Sequence, residues 1–263
     1  MHKVTLTDLG MMKKDGRKIA CLTAYDAGFS RILDESGIDA ILVGDSLGMV
    51  LQGNTSTLGV TLADMIYHTR MVRTACQRAM IIADMPFMSY ATPARALGNA
   101  ARLIGEGGAE IVKLEGGAVM ADTINHLYAQ GIAVCAHLGL TPQSIHKLGG
   151  YHVQGREQGT ADRILSDAKL LAAAGAALLV LECVPHELAH EVTRQLTIPV
   201  IGIGAGMDCD GQVLVLYDIL GITEHQPRFS QNFLHSATSI QDAVRNYVTA
   251  VKSCAFPASG RHF

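Results

Sequence analysis

Tryptophan is absent from the 263 residues, aromatic side chains make up 5%, and charged ones only 17%. With no run of lysine and arginine and a formal charge of −3, the chain is not built to grip nucleic-acid backbones. No apolar run reaches the length needed to span a bilayer, which argues against a membrane protein. Met1-His2-Lys3-Val4-Thr5 lacks the apolar core of a signal peptide. The cysteines Cys21, Cys76, Cys135, Cys183, Cys209 and Cys254 form no C-x-x-C pair, and read as reduced thiols of a cytoplasmic protein. Composition shifts, internal repeats and low-complexity segments are missing too, so residues 1–263 are expected to form one domain.

What is present is apolar: 49% of the residues, in a chain of the size of one (β/α)₈ barrel. Short buried-strand runs repeat, and each stops at a polar group. Ala40–Val43 runs through Gly44 to Asp45, and Met80–Ala83 ends in Asp84. Ile111-Val112 leads to Lys113-Leu114-Glu115, Ala133–Ala136 ends in His137, and Leu178–Leu181 ends in Glu182. Strands that each deliver one polar group at the C-terminal end predict a TIM barrel whose mouth is an active site. A short helix over Thr7–Met12, within residues 1–16, would cap the barrel bottom, and a final helix over Ile240–Lys252 precedes a polar tail from about residue 254. Thr61 with Asp64, and Thr92 with Pro93, read as helix starts. The helix before strand six is expected from about Asp162. Strand eight is expected at 212–216, although Val213–Leu220 also fits a helix. Long loops follow strand two, with Gly48, Gly53 and Gly59, and strand five, over 138–160; both suit lids at the mouth.

Asp45, Asp84 and Glu115 at the ends of neighbouring strands would form one carboxylate cluster. Like charges that close need a cation, and oxygen donors favour a hard ion such as Mg²⁺ over Zn²⁺. Lys113, two residues from Glu115, points the same way and would neutralise charge or hold an anionic substrate oxygen. A Schiff base ranks second, because neighbouring acids favour the ammonium. Glu182 comes from the opposite arc, and its apolar approach suits a general base. His137 either donates to a substrate oxygen or is a satisfied core histidine. His186-Glu187-Leu188-Ala189-His190 matches H-E-x-x-H, but on an outer helix with no third ligand it does not read as a zinc protease. Gly202-Ile203-Gly204-Ala205-Gly206 could cradle a phosphate; without a basic partner it reads as a tight turn.

Val43–Met49, Ala83–Phe87, Val112–Gly117, His137–Ser144, Leu181–Pro185 and Gly202–Gly206 together resemble ketopantoate hydroxymethyltransferases over about residues 18 to 235. The resemblance implies a (β/α)₈ barrel that transfers a hydroxymethyl group from 5,10-methylenetetrahydrofolate to 3-methyl-2-oxobutanoate. It implies one Mg²⁺ per subunit bound by Asp45 and Asp84, with Glu115 completing or supporting the shell. Ser46 and Lys113 would hold the oxo acid, together with Asp45 and Asp84, and Glu182 would be the base. A cytoplasmic homo-oligomer, a decamer, is also implied. His152 stands where the family more often has lysine, and the H-E-x-x-H stretch falls where it usually carries valine and lysine. Two other readings compete: a Mg²⁺-dependent C–C lyase acting on a 2-oxo acid, and a non-catalytic assembly subunit.

Overall fold

In a parallel barrel each strand shows one face to the interior and the other to the surrounding helices, so side chains sort with period two. The computed structural model, which describes residues 2–224, 226–258, 260 and 263, displays this sorting as two buried apolar clusters. Inside the ring stand Ile19, Cys21, Leu42, Ile82, Ile111, Cys135, Val180, Ile201 and Val213. Their strand neighbours Leu22, Ile41, Ile81, Val112, Ala136 and Leu179 belong to the outer shell against the helices.

The chain runs α1 (Leu6–Lys14), β1 (Ile19–Thr23), α2 (Ala27–Glu35), β2 (Ala40–Val43), α3 (Leu47–Val50), α4 (Leu62–Ala75) and β3 (Met80–Asp84). It continues with α5 (Pro93–Gly105), β4 (Ile111–Glu115), α6 (Ala121–Ala129), β5 (Val134–Gly139), α7 (Ile145–Leu148), α8 (Gln158–Ala173) and β6 (Leu178–Glu182). The last elements are α9 (His186–Gln195), β7 (Val200–Ile203), β8 (Gly211–Leu214), α10 (Leu216–Ile219) and α11 (Ile240–Lys252). All eight strands are parallel and close in sequence order, β1 pairing with both β2 and β8. This is the expected (β/α)₈ barrel.

Local chemistry fixes the helix starts. The Thr61 hydroxyl accepts the Asp64 N–H at 3.2 Å, and the Asp64 carboxylate accepts the Thr61 N–H at 2.9 Å, a reciprocal cap on α4. Thr92 caps α5, with Pro93 in its first turn. Three boundaries differ from the sequence reading. α1 extends from Leu6 to Lys14 and α8 begins at Gln158, several residues before Asp162. Strand eight is Gly211–Leu214 rather than 212–216, and 216–219 are helical. Gly211 joins the strand because it lacks a side chain: a Cβ there would lie 2.4 Å from the Ile19 carbonyl oxygen. The tail expected from about residue 254 lies partly outside the described residues.

α1 plugs the bottom, Leu9 and Met12 packing with Val4 on the interior cluster. Asp210 ties this end together, accepting from Lys13 Nζ at 2.7 Å and Val200 N–H at 2.8 Å. At the seam the buried Tyr247 hydroxyl of α11 reaches the carbonyl oxygens of Cys21 on β1, at 2.9 Å, and Gln212 on β8, at 3.0 Å. Among the described residues no helix is long and apolar enough to cross a membrane.

Candidate active site

The interior parity of the strands explains which polar groups reach the mouth. Residues 80 and 82 point inward, hence Asp84; 111 points inward, hence Lys113 and Glu115; 135 points inward, hence His137; 178 and 180 point inward, hence Glu182. The pairing register sets Asp84 beside Lys113 and Glu115 beside His137. Asp45 lies just beyond β2, where the chain turns over Gly44. A Cβ on Gly44 would sit 2.8 Å from Ser46 Oγ and 3.5 Å from Asp84 Oδ2, so the bare backbone lets these groups converge.

The acids sit in two neighbouring sets of contacts, bridged by Gln143. In the first, the Asp45 N–H donates to Asp84 Oδ2 at 3.0 Å, and Lys113 Nζ lies 2.8 Å from Asp84 Oδ1. Burial pushes the Asp45 carboxyl well above its ordinary range, and the charges of Asp84 and Glu115 push it further. Burial also penalises the Lys113 ammonium, but Asp84, Glu115 and Asp45 outweigh it and hold the group charged. A held ammonium disfavours the free amine a Schiff base requires.

In the second group His137 stands between two carboxylates, Nδ1 3.4 Å from Glu115 Oε1 and Nε2 3.3 Å from Glu182 Oε2. Burial and Lys113 oppose its protonation; Glu115 and Glu182 prevail and raise it to about 9, so the ring is an imidazolium at neutral pH. Burial of Glu115 is likewise overcome by His137, Lys113 and the Gln143 N–H, which keep its carboxyl below the ordinary range. The surroundings of Glu182 are therefore ionic on one side rather than wholly apolar. His137 thus stands in an ionic rather than an apolar setting.

Two residues that sequence reasoning missed join the groups. Gln143, in a 3₁₀ turn over Pro142–Ser144, donates from Nε2 to Asp45 Oδ2 at 2.7 Å and to the Met85 carbonyl at 3.0 Å. Its backbone N–H donates to Glu115 Oε2 at 3.0 Å. Tyr90 donates its hydroxyl to Gln143 Oε1 at 2.5 Å, which fixes the orientation of the amide. No periodic pattern marks either residue; only the break after His137 hinted that this loop returns to the mouth. Ser46 Oγ lies 2.9 Å from the Tyr25 hydroxyl at the edge of the first group. Tyr151, from the loop after β5, reaches across to Met49 Sδ at 3.6 Å, so the two long loops meet over the mouth.

A divalent ion fits this donor set. Four carboxyl groups (Asp45, Asp84, Glu115 and Glu182) face two cationic side chains, and the upward push on Asp45 marks a site short of positive charge. Buried Asp84 Oδ1 has no aligned hydrogen bond, despite its proximity to Lys113. Among the described residues no three His, Cys, Asp or Glu side chains converge as a complete ligand set. An ion would thus take one or two carboxylates and fill its shell with water and substrate, the habit of Mg²⁺.

The two other motifs are structural. His190 pairs with Asp208 at 3.1 Å on the outer helix α9. Cβ atoms on Gly202, Gly204 and Gly206 would meet Cys209, Phe229 and His186 at 2.8–2.9 Å, so that loop is a tight turn with its space already filled.

Comparison with known proteins identifies the family. The sequence model of the ketopantoate hydroxymethyltransferase family matches residues 3–259. The 3-methyl-2-oxobutanoate hydroxymethyltransferase of Nitrosococcus oceani is 57% identical over 98% of this chain and 98% of its own. That of Thiobacillus denitrificans is 58% identical over 99% of each. Among solved structures, phosphonopyruvate hydrolase complexed with oxalate and Mg²⁺ superposes with a TM-score of 0.62 at 10% identity, over 82% of this chain and 81% of that one, a likeness of fold. A full-length family match, relatives more than half identical, and an acid-lined barrel mouth converge: the chain belongs to the ketopantoate hydroxymethyltransferase family.

Proposed function

We propose that this hydroxymethyltransferase converts 3-methyl-2-oxobutanoate, 5,10-methylenetetrahydrofolate and water into 2-dehydropantoate and tetrahydrofolate. The observation that carries the reading is the pairing of Asp45, Asp84 and Lys113 on one arc of the mouth with Glu182 on another. Asp45 and Asp84 hold one Mg²⁺ per subunit, and Glu115 supports that shell. When bound, the ion polarises the 2-oxo group and makes the C3 proton more acidic.

The chain's own groups do the rest. Lys113, held as an ammonium, binds an oxygen of the oxo acid, and the Ser46 hydroxyl, oriented by Tyr25, binds another. Glu182 takes the proton from C3, and His137 orients the Glu182 carboxylate from its far side. One water adds to the methylene carbon of the folate and both its C–N bonds break, giving formaldehyde and tetrahydrofolate. The enolate carbon adds to that formaldehyde and the new alkoxide takes the proton held by Glu182, while Tyr151 and its loop cover the mouth. The protein works in the cytoplasm as a homo-oligomer, a decamer, which light scattering on the purified protein would test.

The decisive experiment follows the C3 proton of 3-methyl-2-oxobutanoate by NMR in D₂O. Exchange should require Mg²⁺ but not folate, and Glu182→Gln should slow it roughly 10²-fold or more while the oxo acid still binds. Wild-type exchange that persists in Glu182→Gln, or that is indifferent to EDTA, would overturn the assignment.

A further inference from the structure

A cavity of about 400 Å³ lies on the rim of the barrel mouth, outside the acid pair. Leu58 and Leu62 enter it from the segment after β2, Phe87 and Ser89 from the loop after β3, and Arg95 and Asn99 from the first half of α5. Pro86, two residues beyond Asp84, also lines it. The cavity therefore abuts the acid pair without belonging to it.

Its chemistry is the reverse of the mouth's. No acidic side chain lines it. Arg95 is exposed and has no ion-pair partner among the described residues. Ser89 is 5% exposed, yet its hydroxyl has no hydrogen-bond partner, an unspent donor in a buried position. Asn99 holds this loop from behind, donating from Nδ2 to the Ser89 carbonyl at 2.6 Å. The N-terminus of the 13-residue helix α5 adds a field that favours anions. Phe87, 45% exposed, offers an aromatic face.

We propose that this cavity takes the aminobenzoyl-glutamate tail of the one-carbon donor, with Arg95 and Ser89 binding its carboxylate and Phe87 its ring. The inference rests on the folate-dependent reading above. The one-carbon end must approach the substrate held at the mouth, so the tail has to leave over the rim, and the β2–β3 side of that rim carries an exposed arginine and no acid. A tail that exits over the β2–β3 rim meets a cation, a free hydroxyl and apolar surface within a volume suited to a small ligand.

The test compares 5,10-methylenetetrahydrofolate with the corresponding methylene-tetrahydropteroate, which lacks the glutamate, in wild type and three variants. Arg95→Glu should raise KM for the glutamylated donor more than 10-fold and abolish its advantage over the pteroate form. Ser89→Ala should raise that KM about 3-fold, an effect the size of one hydrogen bond. Lys147→Glu, a charge reversal on the rim after β5, should change neither. Folate-independent C3 exchange should stay at the wild-type rate in Arg95→Glu, which reports an intact fold and acid pair. Intact exchange with undiminished glutamate discrimination in Arg95→Glu overturns this proposal alone, as does a loss that follows Lys147→Glu instead. Absence of metal-dependent exchange in wild type overturns the functional reading and this inference with it.

Discussion

Replacing Gln143 with leucine isolates what holds Asp45 in place. The side chain makes three buried hydrogen bonds: Nε2 to Asp45 Oδ2 at 2.7 Å, Nε2 to the Met85 carbonyl at 3.0 Å, and Oε1 from the Tyr90 hydroxyl at 2.5 Å. Leucine conserves much of the volume and removes all three, while the backbone bond to Glu115 persists. A bond to a charged acceptor contributes about 1.5–3 kcal/mol, and an orphaned buried hydroxyl costs about 1–3 kcal/mol. Part of this is recovered because Asp45, already pushed toward its protonated form by burial and by its acidic neighbours, holds that proton still more tightly when its donor is lost. The expected net loss of stability is about 2–3 kcal/mol. The larger effect falls on metal affinity, since the ion must then displace a proton from a carboxylate that is free to rotate. Loss of such an outer partner typically weakens binding 10–100-fold. The Mg²⁺ dependence of C3 exchange should shift by that factor, with the plateau rate at saturating metal largely retained, and chemical denaturation reads the stability term. A Gln143→Leu enzyme with wild-type Mg²⁺ dependence would refute the role given to the amide.

Three further outcomes follow from the charge arrangement. Asp45 carries a raised folded-state pKa, so without metal it binds its proton more tightly folded than unfolded, and stability falls as pH rises through that interval. Asp45→Asn should accordingly raise the thermal midpoint of the metal-free protein at pH 7 by several degrees while abolishing exchange; a lowered midpoint would contradict the reading. His137 is raised to about 9, so its contribution is complete below its unfolded value near 6.5 and fades as pH climbs through 9. Denaturation of the metal-free protein at pH 6.5 and 9.5 should show a loss on the order of 3 kcal/mol that His137→Asn lacks. Far from the mouth, Asp34 accepts the backbone N–H groups of Gln77 at 2.9 Å, Arg78 at 3.0 Å and Ala79 at 2.6 Å; Asp34→Ala should cost about 3 kcal/mol with kcat of the surviving folded enzyme unchanged.

The parts of the site legible in the sequence are those written in strand parity. Asp84, Glu115, His137 and Glu182 each interrupt an apolar run at an inward position, and a polar residue there has nowhere to go but the mouth. The partition of the acids was not legible, because it depends on where side-chain ends lie. Lys113 lies against Asp84, and His137 stands between Glu115 and Glu182, contacts that strand register alone does not specify. Gln143 and Tyr90 were hidden for a different reason: both come from loop turns whose register follows from packing rather than from any period. The end of β8 was ambiguous because Val213, Leu214, Val215 and Leu216 satisfy a strand and a helix equally, and the helical turn over Leu216–Ile219 packs on α11, a tertiary contact that no local pattern announces.

The double reach of the Tyr247 hydroxyl has a consequence for biosynthesis. The two strands it clips together are separated by almost the whole sheet in sequence, and the clip itself lies on a helix that leaves the ribosome well after β8. Until then the β1–β8 pairing that closes the ring lacks its side-chain clip, and an unpaired strand edge is prone to pairing with its neighbours. Tyr247→Phe should leave the mature active site intact yet lower the soluble yield, most sharply in rapid expression at high temperature, because what it delays is the moment the ring shuts.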